Sequence, residues 1–418
     1  MRSTDGAPPE PDRRRAFDLV MRLLAIPGRS TREREVAEFI KTQLLEAGAP
    51  ARAIESDAVH RRTPARGDTG NLVLRLPGTR RGGRRMLSAH IDTVPLCVGC
   101  RPVRRGGVVR SVAPGTALGA DDRAGAAVVL NTALEILLRH LPHPPLTFCW
   151  FVQEELGLQG SRQVRTTMLG KPGMAFNWDG GSPYKLTVGA TGCDRLSLDI
   201  EGLASHAGGA PELGVSAIAI AALAIADLHR TGWHGDIRKG RRRGTSNFGH
   251  IRGGEATNVV TDRVRILAEA RSHDPRFRRR MVQEIERAFR GAAREVRSAR
   301  GARGKVTMDV LPAYESYRLA ENSPCVLAAE AAVRSLGHEA PRAVANGGID
   351  ANWMVRHGIP TVSLGCGQRN AHTVHEELEM ELFHEACRIA LRLATATESQ
   401  AVAGAPRADE PVRRRAGA

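Results

Sequence analysis

The stretch Leu87-Ser88-Ala89-His90-Ile91-Asp92-Thr93 decides how the rest of the chain is read. Residues 85–89 form an apolar run of strand length that delivers a histidine at its carboxyl end, with an aspartate two residues on. A carboxylate at that spacing can orient an imidazole and raise its basicity, which suits a metal ligand held by its own partner. Taken alone, His-x-Asp is more often an ordinary polar strand end than a metal ligand. It gains weight because further acidic and histidine clusters follow, each in a similar setting.

Residues 146–152 are an apolar strand ending in Gln153-Glu154-Glu155-Leu156-Gly157, and residues 174–178 are another, ending in Asp179-Gly180-Gly181. Residues 71–76 add a further strand. Between them, Ala120-Asp121-Asp122-Arg123-Ala124-Gly125 leads into a helix over about residues 126–140, whose small residues at the start let it lie close to a sheet. Strands alternating with helices predict an α/β sheet. In such sheets ligands bind at the carboxyl ends of strands, which is where His90, Glu154, Glu155 and Asp179 fall. Upstream, residues 16–25 form an amphipathic helix closed by Pro27-Gly28. Ser30-Thr31-Arg32-Glu33 has the pattern of a capping box and opens a second helix with the stripe Val36, Phe39, Ile40 and Leu44.

After residue 191 the pattern changes. Residues 193–201 alternate apolar and polar, 214–228 are helical, 245–251 and 263–271 are strands, 275–297 are a basic helix, and 305–310 are a last strand. That order is β-α-β-β-α-β, the ferredoxin-like unit. The larger domain resumes near Tyr314, with a helix at 325–336, an element starting at Gly347-Gly348-Ile349-Asp350, a strand at 359–364, a turn-rich loop at 365–373 and a final helix at 376–395. The expected organisation is therefore a disordered stretch 1–15, a catalytic domain in two parts (16–191 and 314–397), an inserted lid and dimerisation domain (192–313), and a disordered tail 398–418. The fold class is α/β: a mixed-sheet catalytic domain with helices on both faces, plus an inserted ferredoxin-like α+β domain.

The 418 residues are too many for one ordinary core. With 42% apolar and 25% charged residues the composition is that of a soluble protein. No apolar run is long enough to span a membrane, and Met1 to Arg15 does not read as a secretory signal. Seven scattered cysteines argue against a disulfide framework and for a reducing cytoplasm. Cys97-Val98-Gly99-Cys100 lacks the second pair that a structural zinc site needs. The net charge of +16 comes mostly from arginine, with runs at Arg13 to Arg15, Arg241 to Arg243 and Arg278 to Arg280. Aromatic residues are only 4% and do not interleave with these runs, so a nucleic-acid surface of stacked bases is not expected. The runs read as solvated surface.

His90-x-Asp92, Asp121-Asp122, Glu154-Glu155, Asp179 and His372, in Asn370-Ala371-His372-Thr373, would form a costly like-charge cluster without cations. Two divalent ions sharing one carboxylate, each with one histidine and one further carboxylate, resolve it. Nitrogen and oxygen donors together favour zinc, with cobalt or manganese also compatible. Two such ions about 3.5–4 Å apart can hold and activate a water, and a leftover carboxylate can act as general base. Spacing alone does not separate Asp121 from Asp122, Glu154 from Glu155, or His372 from His375.

Ser88 to Thr93, Gly119 to Gly125 and Glu154-Glu155-Leu156-Gly157 resemble the metal motifs of the di-zinc metallopeptidase family that includes peptidase T, carboxypeptidase G, aminoacylase and succinyl-diaminopimelate desuccinylase. The peptidase T branch is the most similar, through Ala204-Ser205-His206-Ala207-Gly208, Gly254-Glu255-Ala256-Thr257-Asn258-Val259-Val260, Ala270-Arg271-Ser272-His273-Asp274, and Asn370-Ala371-His372-Thr373 followed by Glu376-Glu377. The resemblance implies hydrolysis of an amide bond in short peptides, as a tripeptidase-like aminopeptidase, with N-acyl amino acid deacylation or carboxypeptidase action as the alternative. It implies His90, Asp121 and Asp179 on one zinc, and Asp121, Glu155 and His372 on the other. Asp92 would orient His90, and Glu154 would take a proton from a water bridging the ions. His206 would stabilise the oxyanion, and Asn258 and Arg271 would bind substrate. A homodimer through the inserted domain is implied as well. Arg123 stands where many relatives have lysine; with the charge kept, little effect on the metals is expected. A non-catalytic nucleic-acid-binding or scaffold role is the distant alternative.

Overall fold

The structure is a computed structural model that describes residues 9–397; the tail expected at 398–418 lies outside the described residues, as do residues 1–8. The chain forms two compact units. The larger takes the described residues up to Val188, Leu319–Ala343 and those from Ile349 onward, and the smaller takes Gly189–Arg318 and Val344–Gly348.

The larger unit is built on a mixed sheet. Across it run Ile54–Ser56, Leu72–Leu76, Leu146–Phe151, Arg85–His90, Met174–Trp178, Thr361–Leu364 and the start of Leu186–Ala190. Leu146–Phe151, Arg85–His90, Met174–Trp178 and Thr361–Leu364 are mutually parallel, so their carboxyl ends share one edge. Arg85–His90 and Leu146–Phe151 are buried at every position, which is what parallel strands covered on both faces require. The helix Ala120–Arg139 is buried almost all round through Ile136. It lies against the sheet because its first turns are small: a Cβ on Gly125 would stand 2.3 Å from the Trp178 carbonyl oxygen, and Trp150 Nε1 donates to Ala126 O at 3.2 Å. Among the described residues, no helix is long and apolar enough to cross a membrane.

Several local expectations change. The first helix is Arg13–Ala25, capped by the Asp12 side chain accepting from Arg15 N at 3.0 Å, so ordered structure begins inside the stretch read as disordered. The second helix, Arg34–Glu46, has no cap from Ser30 or Glu33. Asp68 Oδ1 takes the Glu33 and Arg34 amides at 3.0 and 3.2 Å instead, which frees Ser30 and Glu33 for another use. The final helix starts only at Met380. Glu377–Glu379 is a strand, with Leu378 buried opposite Val109 of Val108–Ser111 in a four-stranded sheet completed by Gln368–Arg369 and Pro102–Arg105. Asp350 stands at the start of the Ala351–Arg356 helix without capping it through its side chain.

The smaller unit is an antiparallel sheet in the order Gly235–Lys239, Arg242–Gly253, Arg263–Ser272, Gly192–Glu201, Lys305–Tyr314. The helices Ala217–Arg230 and Pro275–Glu295 cover it over a core that includes Leu198, Ile220, Phe277 and Phe289. The expected β-α-β-β-α-β order is present with one strand added at the edge, Gly235–Lys239. The Arg241 to Arg243 run is its hairpin: Lys239 pairs with Arg242 and Arg238 with Arg243, and Gly240 supplies the positive φ of 62° that the two-residue turn requires. The Arg278 to Arg280 run is not all solvated surface either. Arg278 is buried, its Nε donating to Asp194 at 2.9 Å and its Nη2 to Glu315.

Candidate metal centre

The candidates in the larger unit converge on the shared edge of the parallel strands. His90 ends its strand, Glu154 and Glu155 follow Leu146–Phe151, and Asp179 follows Met174–Trp178. Asp121 and Asp122 sit in a non-helical turn at the head of the long helix, joined by a cis peptide bond. His372 comes from the loop between Gln368–Arg369 and Glu377–Glu379, with a φ of 64°.

Ligand atoms of His90, Asp121 and Glu155 lie within 4.8 Å of one another, as do those of His90, Glu154 and Asp179, and those of Asp121, Asp122 and Asp179. Asp121 stands between the two histidines: its Oδ1 is 3.2 Å from His90 Nε2 and its Oδ2 3.3 Å from His372 Nε2. His372 Nε2 is also 2.7 Å from Glu155 Oε1. Asp122 faces elsewhere. It is fully buried, its Oδ2 accepts the His90 amide and its Oδ1 the Gly125 amide, each at 3.1 Å. Of the adjacent pair, Asp121 is the one presented to the histidines.

The charges show what the cluster lacks. Burial, then neighbouring Asp121, pushes Asp179 up to about 7, and burial pushes Glu154 well above the carboxylate range. Burial opposes ionising Asp121, but His372 and His90 hold it below the ordinary range. Hydrogen bonds donated to the Asp121 and Glu155 carboxylates carry His372 up to about 10. Without cations, Asp179 and Glu154 keep protons and the two histidines gain them. Imidazole nitrogens and carboxylate oxygens around one shared carboxylate fit a pair of divalent ions, which would reverse both tendencies.

Around these groups stands a shell of acceptors and donors. Asp92 is fully buried and takes four contacts: His90 Nδ1 at 3.3 Å, Ser30 Oγ at 2.7 Å, Glu154 N at 2.9 Å and Glu155 N at 3.2 Å. The Asp92 backbone oxygen also faces His90 Nδ1, at 3.2 Å, so both ends of the residue meet that ring, and the carboxylate also holds the turn that carries both glutamates. Glu33 Oε1 accepts Gln153 N at 3.1 Å, one residue earlier. Ser30 and Glu33, read in sequence as a helix cap, therefore support this turn. Gln368 Nε2 donates to Asp179 Oδ1 at 3.2 Å. Arg123 is buried and donates to the Leu23 and Gly28 carbonyls at 3.3 and 3.1 Å, so it braces the end of the first helix and the loop after it. Apart from Asp92 beside His90, none of these partners was visible from spacing, because each lies tens of residues from the group it serves. Cys97 and Cys100 are free thiols, as are the other five cysteines.

The smaller unit brings His206 and Asn258 together. His206 bridges to Val259, and Ala207 N donates to Asn258 O at 2.9 Å. The His206 ring has a defined tautomer: its Nδ1 accepts the Gly208 and Gly209 amides at 3.1 and 2.9 Å, which leaves the proton on Nε2, on an exposed residue. Arg271 is already engaged, its fork donating to both oxygens of Glu269 at 2.8 and 2.9 Å.

Residues 86–396 match peptidase family M20/M25/M40. The chain is similar to the uncharacterized protein YqjE of Bacillus subtilis (strain 168), at 31% identity over 369 residues, 88% of this chain and 94% of that one. It is 24% identical over 287 residues to peptidase T of Escherichia fergusonii, covering 68% of this chain and 67% of the relative. Its structure is similar to that of a tripeptidase from Staphylococcus aureus subsp. aureus Mu50, with a TM-score of 0.83, 28% identity, and coverage of 93% of this chain and 99% of the other. An aminopeptidase PepT from Bacillus cereus ATCC 10987 gives a TM-score of 0.79 at 29% identity, over 94% and 99% of the two chains. A match over most of the chain, joined to histidines and carboxylates gathered around one shared aspartate, places the protein: it belongs to peptidase family M20/M25/M40 and is a metal-dependent peptide-bond hydrolase.

Proposed function

We propose that the protein is a di-zinc aminopeptidase acting on short peptides, of the tripeptidase type, in the cytoplasm. The observation that carries this is the position of Asp121 between His90 and His372, in a chain similar to tripeptidase and PepT structures. His90, Asp121 and Asp179 would hold one ion, and Asp121, Glu155 and His372 the other. Cobalt or manganese would satisfy the same donors. Bound there, the two ions supply Lewis-acid polarisation of the scissile carbonyl and acidify water.

Glu154 takes a proton from the attacking water and delivers it to the departing amine nitrogen; its buried carboxyl group stands within ligand distance of His90 and Asp179, beside the place the ions would occupy. Asp92 keeps the proton of His90 on Nδ1, so that Nε2 presents its lone pair. His206 donates a hydrogen bond from its Nε2–H to the carbonyl oxygen as that oxygen gains charge. Asn258 and Arg271 bind substrate; Arg271 meets a substrate carboxylate by sharing or exchanging Glu269. Pairing of two chains through the smaller unit is supported by its edge strand Lys305–Tyr314, where Val310 and Leu311 are exposed.

The test is metal content per chain, with hydrolysis of a tripeptide panel before and after chelation, beside Glu154→Gln. About two zinc ions per chain, activity lost on chelation and restored by metal, and a metal-loaded but inactive Glu154→Gln are expected. Hydrolysis at the wild-type rate by metal-loaded Glu154→Gln would remove Glu154 from its role. Preferential turnover of N-acyl amino acids would replace the peptidase reading with deacylation.

A further inference from the structure

We infer that Glu376 is a positioning residue that fixes Asp121 and His372 relative to each other, an inference that rests on the reading of those two residues as ligands of one metal. Glu376 is buried at 2% exposure, although it belongs to a polar loop. Its Oε2 accepts the Gly119 amide at 2.6 Å and its Oε1 the Asp121 amide at 3.0 Å, across a sequence gap of 255 to 257 residues.

The need for it lies in the helix start. Gly119 is the residue before the Ala120–Arg139 helix and has a φ of 78°, with no side-chain cap of its own. Asp121 and Asp122 then depart from helical geometry, at ψ 101° and 38°. This stretch therefore leaves buried amides without helical partners, and each such group left unmet is costly. A nearby Ser, Thr or Asp would normally meet them. Here the carboxylate comes from the far end of the chain, and one of the two amides belongs to Asp121 itself.

The other end of the clamp is the His372 loop. Asn370 and His372 both have positive φ, 55° and 64°. Thr373 Oγ1 donates to Asn370 O at 2.8 Å, and Glu376 N donates to Thr373 O at 3.1 Å. Immediately beyond Glu376, the Glu377–Glu379 strand is pinned into the small sheet. The loop thus has two rigid ends and a histidine at its tip. Through the Glu376 carboxylate it is tied to the backbone of the aspartate that its histidine faces at 3.3 Å.

The two acceptor roles make the charge state and shape of the side chain matter. Glu376→Gln keeps the size but places an amide N–H₂ opposite one of the two backbone N–H groups, so one contact becomes donor against donor. Glu376→Asp keeps both acceptors and shortens the reach by one methylene. A residue that merely fills space would tolerate Gln.

The experiment is metal affinity, by competition of zinc and of cobalt with a chromophoric chelator, for wild type, Glu376→Gln and Glu376→Asp. The cobalt absorption spectrum and thermal unfolding of the metal-free proteins are recorded alongside. The expected result is a loss of about 10- to 100-fold in affinity at one of two sites in Glu376→Gln, the range for partners that orient ligands. An altered cobalt spectrum and a smaller loss in Glu376→Asp are expected with it. Wild type binding two metals with Glu376→Gln matching it in affinity and spectrum would overturn the role of Glu376 and leave the metal centre standing. Wild type binding no metal would bring down the metal reading, and this inference with it. If Glu376→Gln does not fold, Glu376→Asp decides: unchanged affinity and spectrum in that variant count against the clamp.

Discussion

Replacing Asp92 by asparagine separates the two roles that its carboxylate combines. In the wild type Oδ1 faces Glu154 N and His90 Nδ1, and Oδ2 faces Ser30 Oγ and Glu155 N. An asparagine has one carbonyl oxygen and one N–H₂ group. With the oxygen at the Oδ1 position, the Ser30 hydroxyl can turn round and accept, but the Glu155 amide then meets another donor. With the amide flipped, Glu154 N and His90 Nδ1 are both left facing donors. The first orientation loses less: one buried amide unsatisfied, about 1–3 kcal/mol, plus the weaker hold of a neutral acceptor on His90. Asp92→Asn is expected to be about 2–3 kcal/mol less stable than wild type in urea unfolding of the metal-free protein, and about 10- to 100-fold weaker in zinc affinity. Ser30→Ala is the graded control. It removes one hydroxyl bond to a carboxylate, about 1.5 kcal/mol, and leaves every ligand-bearing amide in place. If Asp92→Asn holds zinc within twofold of wild type and loses no more stability than Ser30→Ala, the Asp92 carboxylate neither orients His90 nor holds the glutamate turn, and the reasoning fails.

Two further predictions concern buried charge. Arg278→Met should cost about 3–5 kcal/mol, because it leaves the Asp194 carboxylate, 7% exposed, buried without its partner. The pair to Glu315, half exposed, adds little; a loss under about 1 kcal/mol in denaturant melts would show that Asp194 is not stranded. Glu33 is pushed up to about 8 by burial and by Asp92, from an ordinary 4.5. The folded chain therefore keeps a proton that the unfolded chain releases, and this group's contribution makes folding less favourable as pH rises from 4.5 through 8. Glu33→Gln should gain stability relative to wild type across that window and show no pH-dependent difference below it. A constant difference between pH 5 and 8, measured on metal-free protein, would contradict the shift.

The parallel strands and their carboxyl-end acids were legible in the sequence because burial on both faces leaves near-continuous apolar runs, as at Leu146–Phe151, and three of these runs stop at or just before a histidine or an acid. The order of elements in the smaller unit was legible for a related reason, since Arg263–Ser272 alternates strictly between sheet faces. Gly235–Lys239 was not, because a short edge strand with one buried residue carries no period to read. The last helix was placed too early because Leu378 fits a helical stripe as well as it fits the buried position of a three-residue strand. Ser30 and Glu33 misled for a different reason. A Ser-x-x-Glu pattern satisfies the local rule for a helix cap, yet in the fold Asp68 caps that helix and the pattern's two side chains act 62 and 120 residues away.

The adjacent acids show most clearly where sequence stops and geometry begins. Asp121 and Asp122 are chemically the same residue in consecutive positions, and no spacing rule assigns one to a metal. What separates them is whom their oxygens already serve. Asp92, Asp122, Glu33 and Glu376 accept backbone amides from distant segments. Each has at least one oxygen committed to such an amide, and each is buried among the groups it joins. Asp121 and Glu155 turn their oxygens to histidine nitrogens, and Glu154 and Asp179 share close ligand-atom distances with His90. The first set fixes the strand ends, turns and loop; the second set is what those elements present. A carboxylate is suited to the first task because it accepts several N–H groups at once and donates to none. That use of acids to hold acids explains how so many carboxyl groups pack into one place: one set is engaged by backbone amides of the fold, and the other is left for cations to meet.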